Sequence, residues 1–144
     1  MLCHTICGRD FTRCAADRLP EKVETTAVNV LIADDSSLVR KNVRRLLSTI
    51  EGVTSIWESD SVLATIGAIE TECPDTVILD LHFPDGSGFE VLSHLREIAN
   101  PPRVIVLTTF AGPSEREKAL SLGAASFLDK TTEYEALFDL LVLT

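Results

Sequence analysis

The chain has 144 residues, 45% of them hydrophobic, and a formal net charge of −9. That is one domain's length, long enough to bury roughly two thirds of the surface its unfolded chain would expose. The acidic balance disfavours a nucleic-acid reader, whose affinity comes from neutralising phosphates, and no apolar stretch approaches the roughly 20 residues of a membrane-spanning helix.

Residues 1–27 show no sustained helical or strand period and carry scattered charges, Arg9, Asp10, Arg13, Asp17 and Arg18 among them. They lack the apolar centre of a signal peptide and are read as an extension outside the core, compatible with disorder. Cys3, His4, Cys7 and Cys14 fall here, with Cys73 far away. A zinc site would need two closely spaced ligand pairs, and only one is present. The cysteines are therefore read as reduced thiols of a cytoplasmic protein.

From Val28 the pattern becomes regular, and 28–144 is expected to be the folded domain. Val28 to Ala33 is a continuous apolar run suited to a strand buried on both faces. Val39, Val43, Leu46, Leu47 and Ile50 recur at helical spacing, with Arg40, Lys41, Arg44 and Arg45 on other faces, and Gly52 ends that helix. Thr54 to Glu58 reads as a more polar strand nearer a sheet edge. Ser61 to Glu72 reads as a helix that stops before Cys73-Pro74. Thr76 to Leu79 is the third strand, and a turn-rich loop leads to a helix from Phe89 to Ala99. Arg103 to Thr108 is the fourth strand. Ser114 and Glu117 have capping-box spacing at the head of the next helix, with Gly123 closing it. Ser126 to Asp129 is the fifth strand, and Thr132 with Glu135 heads a last helix towards Thr144.

Strand and helix alternate five times, which predicts an α/β fold: a doubly wound, five-stranded parallel sheet with helices on both faces. Ligands in such sheets collect outside the carboxyl ends of the strands. Asp34, Asp35, Asp80, Thr108 and Lys130 all fall at those ends. Three crowded carboxylates repel one another and call for a cation. Mg2+ suits them, because it takes hard oxygen ligands and shares carboxylates with phosphate oxygens. Lys130 supplies a point charge for a phosphoryl group, Thr108 a hydroxyl, and Asp80 an oxygen nucleophile. Any one of these alone is more often structural; an acid at a strand exit commonly caps the next helix, as Asp35 or Ser36 would here. All five on successive strand ends resist that explanation.

These marks, Asp34-Asp35, the segment Asp80-Leu-His-Phe-Pro-Asp-Gly-Ser-Gly88, Thr108 and Phe127-Leu-Asp-Lys130, resemble those of the two-component response-regulator receiver domain, over Val28 to about Leu143. The resemblance implies a phosphoryl group accepted by Asp80 from a sensor histidine kinase or phosphotransfer protein, in a phosphoacceptor rather than an enzyme. It implies Mg2+ held by Asp35, Asp80 and the backbone carbonyl of His82, with Asp34 helping through water. Lys130 would pair with the phosphoryl group, and Thr108 with Phe127 would form a switch in which the hydroxyl moves to the phosphate and the ring turns inward. Phe83, Thr109 and Thr131 depart from the commonest pattern, and His82 and Phe110 flank the site. With no effector domain expected after the last helix, output would pass through an effector protein, a second copy of the chain, or onward phosphoryl transfer. The basic face of the first helix is a candidate for kinase docking, and Leu140-Leu141-Val142-Leu143 for a partner contact. A haloacid-dehalogenase-like phosphatase, with Asp80 as nucleophile, is the alternative; the second acid such enzymes carry would fall at His82. A non-phosphorylated scaffold would lack an acid or the lysine, and none is missing.

Overall fold

The computed structural model describes residues 27–109 and 111–142. Expectations placed on Cys3, Cys7, Cys14, Phe110 and Leu143 lie outside the described residues. The apolar runs become strands β1 (Val28–Ala33), β2 (Val53–Ser59), β3 (Thr76–Leu79), β4 (Arg103–Thr108) and β5 (Ser126–Asp129). They form one parallel sheet in the order β2-β1-β3-β4-β5. The expected edge position of the second strand holds. Helices α1 (Ser37–Leu47), α2 (Val62–Glu72), α3 (Gly88–Leu95), α4 (Pro113–Ser121) and α5 (Ala136–Val142) make the connections.

Alternation along the strands divides the core in two. Val30, Ile32, Ile78, Ile105, Leu107 and Leu128 face one way, against Val43 and Leu47 of α1 and Leu137 and Leu141 of α5. Leu31, Val77, Leu79, Val104, Val106 and Phe127 face the other way, against Ile69 of α2, Leu92 of α3 and Ala119 of α4. Burial on both faces explains why β1, β3 and β4 read as unbroken apolar runs rather than alternating ones.

Several helix ends differ from expectation. α4 has no capping box: Gly112 is its N-cap without a side-chain bond and Pro113 occupies the first turn. A proline already fixed at helical φ, with no N–H to satisfy, makes the Ser114 cap superfluous. α3 ends at Leu95, beyond which the N–H groups of Glu97 and Ile98 reach back three residues in tight turns. The following Asn100-Pro101 step disfavours helix just before it. α5 begins at Ala136 rather than at Thr132.

The loop after Asp80 holds a short antiparallel pairing, His82–Phe83 with Gly86–Ser87. Ser87 then caps α3 in a reciprocal box with Glu90. Cys73 adopts left-handed backbone (φ 47°) at the end of α2 and is disulfide-bonded, which corrects the reduced-thiol reading there. Cysteine spacing alone does not reveal pairing.

Candidate functional site

β1 and β3 end in register, Ala33 pairing with Leu79, as do β4 and β5, Thr108 pairing with Asp129, and the Leu79–Val106 pairing of β3 with β4 joins the two. The parallel register therefore brings Asp34, Asp80, Thr108 and Lys130 to one end of the sheet. Asp34, Asp80 and Thr108 are all buried, while Asp35 is exposed at the mouth. One carboxylate oxygen from each of Asp34, Asp35 and Asp80 lies within 4.8 Å of the others. Lys130 Nζ bridges two of them, 2.6 Å from Asp34 Oδ2 and 3.4 Å from Asp80 Oδ2. The backbone N–H of Lys130 donates to the Thr108 carbonyl, tying the lysine to β4 (2.9 Å).

Each acid is aimed by backbone chemistry. Ser36, not Asp35, caps α1 through its hydroxyl (3.2 Å to Val39 N), which leaves the Asp35 carboxylate for the mouth. Asp34 Oδ1 accepts from Ser36 N (2.9 Å) and Asp80 Oδ1 from Leu81 N (2.7 Å), so each presents its second oxygen to Lys130. Burial pushes the Asp34 carboxyl above its ordinary range despite the Lys130 and Ser36 bonds, and the Asp80 charge adds to the rise. One lysine under-compensates this group of acids. The donor set, three carboxylates with hard oxygens, fits Mg2+.

Several contacts around the site carried no spacing signal. Arg40 of α1 donates to the Asp34 carbonyl (2.6 Å) and to Glu58 of β2 (2.9 Å), and Arg44 also reaches Glu58 (2.7 Å). Half of the basic face expected to dock a kinase is thereby engaged within the chain, leaving Lys41 and Arg45 as its other members. Asp85 accepts from Val62 N and Leu63 N (2.8 and 3.1 Å), pinning the loop after Asp80 to the head of α2. Gly88 N donates to the Leu81 carbonyl (2.9 Å), and a Cβ there would collide with the Asp80 carbonyl oxygen and stand 3.0 Å from Leu81 Cα. Phe127 is only 3% exposed, so its ring already lies inward. Thr109 is exposed beside the site.

A family profile for the response regulator receiver domain matches residues 30–142. A protein-glutamate methylesterase/protein-glutamine glutaminase of Koribacter versatilis is 34% identical over 116 residues, covering 80% of this chain and 32% of that protein. The transcriptional regulatory protein YdfI of Bacillus subtilis is 32% identical over 109 residues, 76% of this chain and 51% of its own length. Among solved structures, the signal receiver domain of the response regulator NarL from Mycobacterium tuberculosis superposes with a TM-score of 0.71 at 32% identity, covering 80% of this chain and 96% of that one. The chain thus spans about a third to a half of the length of these curated relatives.

Proposed function

The chain belongs to the response regulator receiver domain family of two-component signalling proteins, and on that premise we propose that Asp80 is its phosphoacceptor. The observation that carries this reading is the bridged arrangement: Lys130 Nζ within 3.4 Å of a buried Asp80 whose oxygen clusters with those of Asp34 and Asp35. An Asp80 oxygen attacks the phosphorus of a phosphohistidine on a sensor kinase or phosphotransfer protein. The P–N bond breaks, an acyl phosphate forms, and the departing imidazole takes up a proton. Asp35, Asp80 and the His82 carbonyl would hold Mg2+, with Asp34 assisting through water. The ion, when bound, supplies positive charge against the phosphoryl oxygens. Lys130, now shared between two acids, turns to the incoming oxygens, and the Thr108 hydroxyl approaches another. Positioning and charge thus do most of the work.

We take Val28 as the domain start, with 1–27 as an extension, and read the chain as a cytoplasmic phosphoacceptor with no turnover of its own beyond transfer to and loss from Asp80. Lys41 and Arg45 remain the better candidates for a kinase contact. Output through an effector protein or a second copy is supported by apolar side chains of α5 that the core leaves uncovered: Phe138 is 38% and Val142 50% exposed.

The test is Mg2+-dependent labelling by acetyl phosphate. The native chain is expected to gain an acid-stable, hydroxylamine-labile phosphoryl group, and Asp80→Asn none. Labelling that survives Asp80→Asn, or a folded native chain that takes no label, would overturn the assignment. Steady release of phosphate from a generic phosphate ester would instead favour the phosphatase alternative.

A further inference from the structure

Arg116, on α4, makes three contacts at once around the switch aromatic. Its guanidinium carbon stands 4.9 Å from the centre of the Phe127 ring. One NH2 group donates to the Phe127 carbonyl (3.2 Å) and the other to Glu133 Oε1 (3.3 Å). Glu133 Oε1 in turn accepts from Asp129 N (3.0 Å). The Arg116 side chain is 43% exposed while the ring it covers is 3% exposed. The guanidinium therefore lies over the ring on its solvent side, fixed at the far end by a carboxylate that also holds the exit of β5.

We propose that Arg116 is the positioning residue of the switch, holding Phe127 inward before any phosphoryl group arrives. The proposal rests on the reading of Phe127 and Thr108 as a switch pair driven from Asp80. For the ring to swing out, it must give up the cation on its face and slide past a side chain anchored at two points. Phenylalanine favours the same state, having no hydroxyl that burial would leave without water. A ligand shifts a two-state element only by its differential affinity for the two states. With the inward state already dominant, phosphorylation has little left to shift at this ring, so the α4–β5 face presents its signalling arrangement in the resting chain.

The experiment is fluorine NMR on the full chain labelled with 4-fluorophenylalanine, with the Phe127 line assigned by Phe127→Leu. Without Mg2+ or any phosphoryl mimic, the native Phe127 line is expected at a buried position. In Arg116→Met, which keeps the aliphatic stem but removes the cation and both bonds, it should move towards the solvent position. A fall of about two- to fivefold in the inward-to-outward ratio matches what an exposed cation–π contact is worth. Arg116→Lys should recover part of the shift, and the lines of Phe83 and Phe89 should stay in place, which a general loosening of the fold would not allow. Adding beryllofluoride with Mg2+ should return the Arg116→Met line to the native position. A Phe127 line unchanged in Arg116→Met, or a native line already at the solvent position, would overturn the proposal. Failure of beryllofluoride to move any line in either protein would overturn the Asp80 reading instead, since the ligand-free spectra decide the role of Arg116 by themselves.

Discussion

The two ends of the sheet are built on opposite terms. At the carboxyl ends of the strands, Asp34, Asp80 and Thr108 are buried together with the stem of a lysine. At the amino ends, a groove of about 360 Å³ is walled mainly by Val28, Ile50, Val53, Phe138, Leu141 and Val142, with Thr49, Glu51 and Thr76 between them. One end gathers like charges that burial disfavours, to the point of raising the Asp34 carboxyl; the other gains from every apolar atom it covers. The stability that offsets the crowded charges comes from the packed layers beneath.

That contrast is open to breaking. Lys130→Met should have the largest effect, lowering the rate of acetyl phosphate labelling by about 10²–10³-fold, the range found for removing one preorganised charge-stabilising donor. Its melting temperature should fall as well, because Asp34 and Asp80 lose their bridge, and Mg2+ should restore much of that loss. Rescue by Mg2+ that fails to appear would mean the acids do not share an ion. Leu141→Ala, in the wall of the groove at the other end of the sheet, should cost about 2–5 kcal/mol in a denaturant titration. Mg2+ should add no more to this variant than to the native chain, and the folded fraction should label at the native rate. A smaller expectation concerns the native chain: each tenfold rise in Mg2+ above its dissociation constant should add about 1.4 kcal/mol of stability. Asp35→Asn should flatten that dependence, and an unchanged slope would remove Asp35 from the ligand set.

The smallest effect sharpens the contrast, since Glu58 is a carboxylate held by partners rather than opposed by neighbours. Its bond to Arg44, joined by Arg40, lowers its carboxyl below the ordinary 4.5. A depressed carboxyl contributes stability that is present above its unfolded value and lost as pH falls through its folded value. With the pair partly solvated, Glu58→Gln should cost at most about 1 kcal/mol at pH 7. The difference from native should close below pH 4.5 as the native carboxyl takes up its proton. A gap that persisted into strong acid would show that the substitution acts through packing.

Much of this was readable along the chain. β1, β3, β4 and β5 fall where their apolar runs begin and end, because strands buried on both faces leave no polar interruption and charged or turn residues bound them. Once the strands were placed, their exits assembled the acids and the lysine. What escaped were features whose partners lie far apart in sequence. Residues 132–135, read as the head of a helix, are drawn instead into securing the β5 exit, where Glu133 serves both Asp129 N and Arg116. Asp129 holds Thr131 through its backbone N–H and its hydroxyl (2.8 and 2.6 Å), keeping the chain in a turn. Arg116 itself sits in an ordinary polar stretch, and nothing in its spacing marks it as the cover of an aromatic ring. The disulfide at Cys73 was equally silent.

Gly88 has a consequence for how this sequence is free to vary. No side chain fits there without displacing the backbone of Asp80, the proposed phosphoacceptor eight positions upstream. A library randomised at position 88 and selected for phosphoryl uptake should return glycine alone, although that residue touches no reactant. Neighbouring Ser87, whose duty is a helix cap, should give way to threonine, asparagine or aspartate. The chemical identity of the acceptor and the emptiness of a distant position would then drift, or fail to drift, as a single trait.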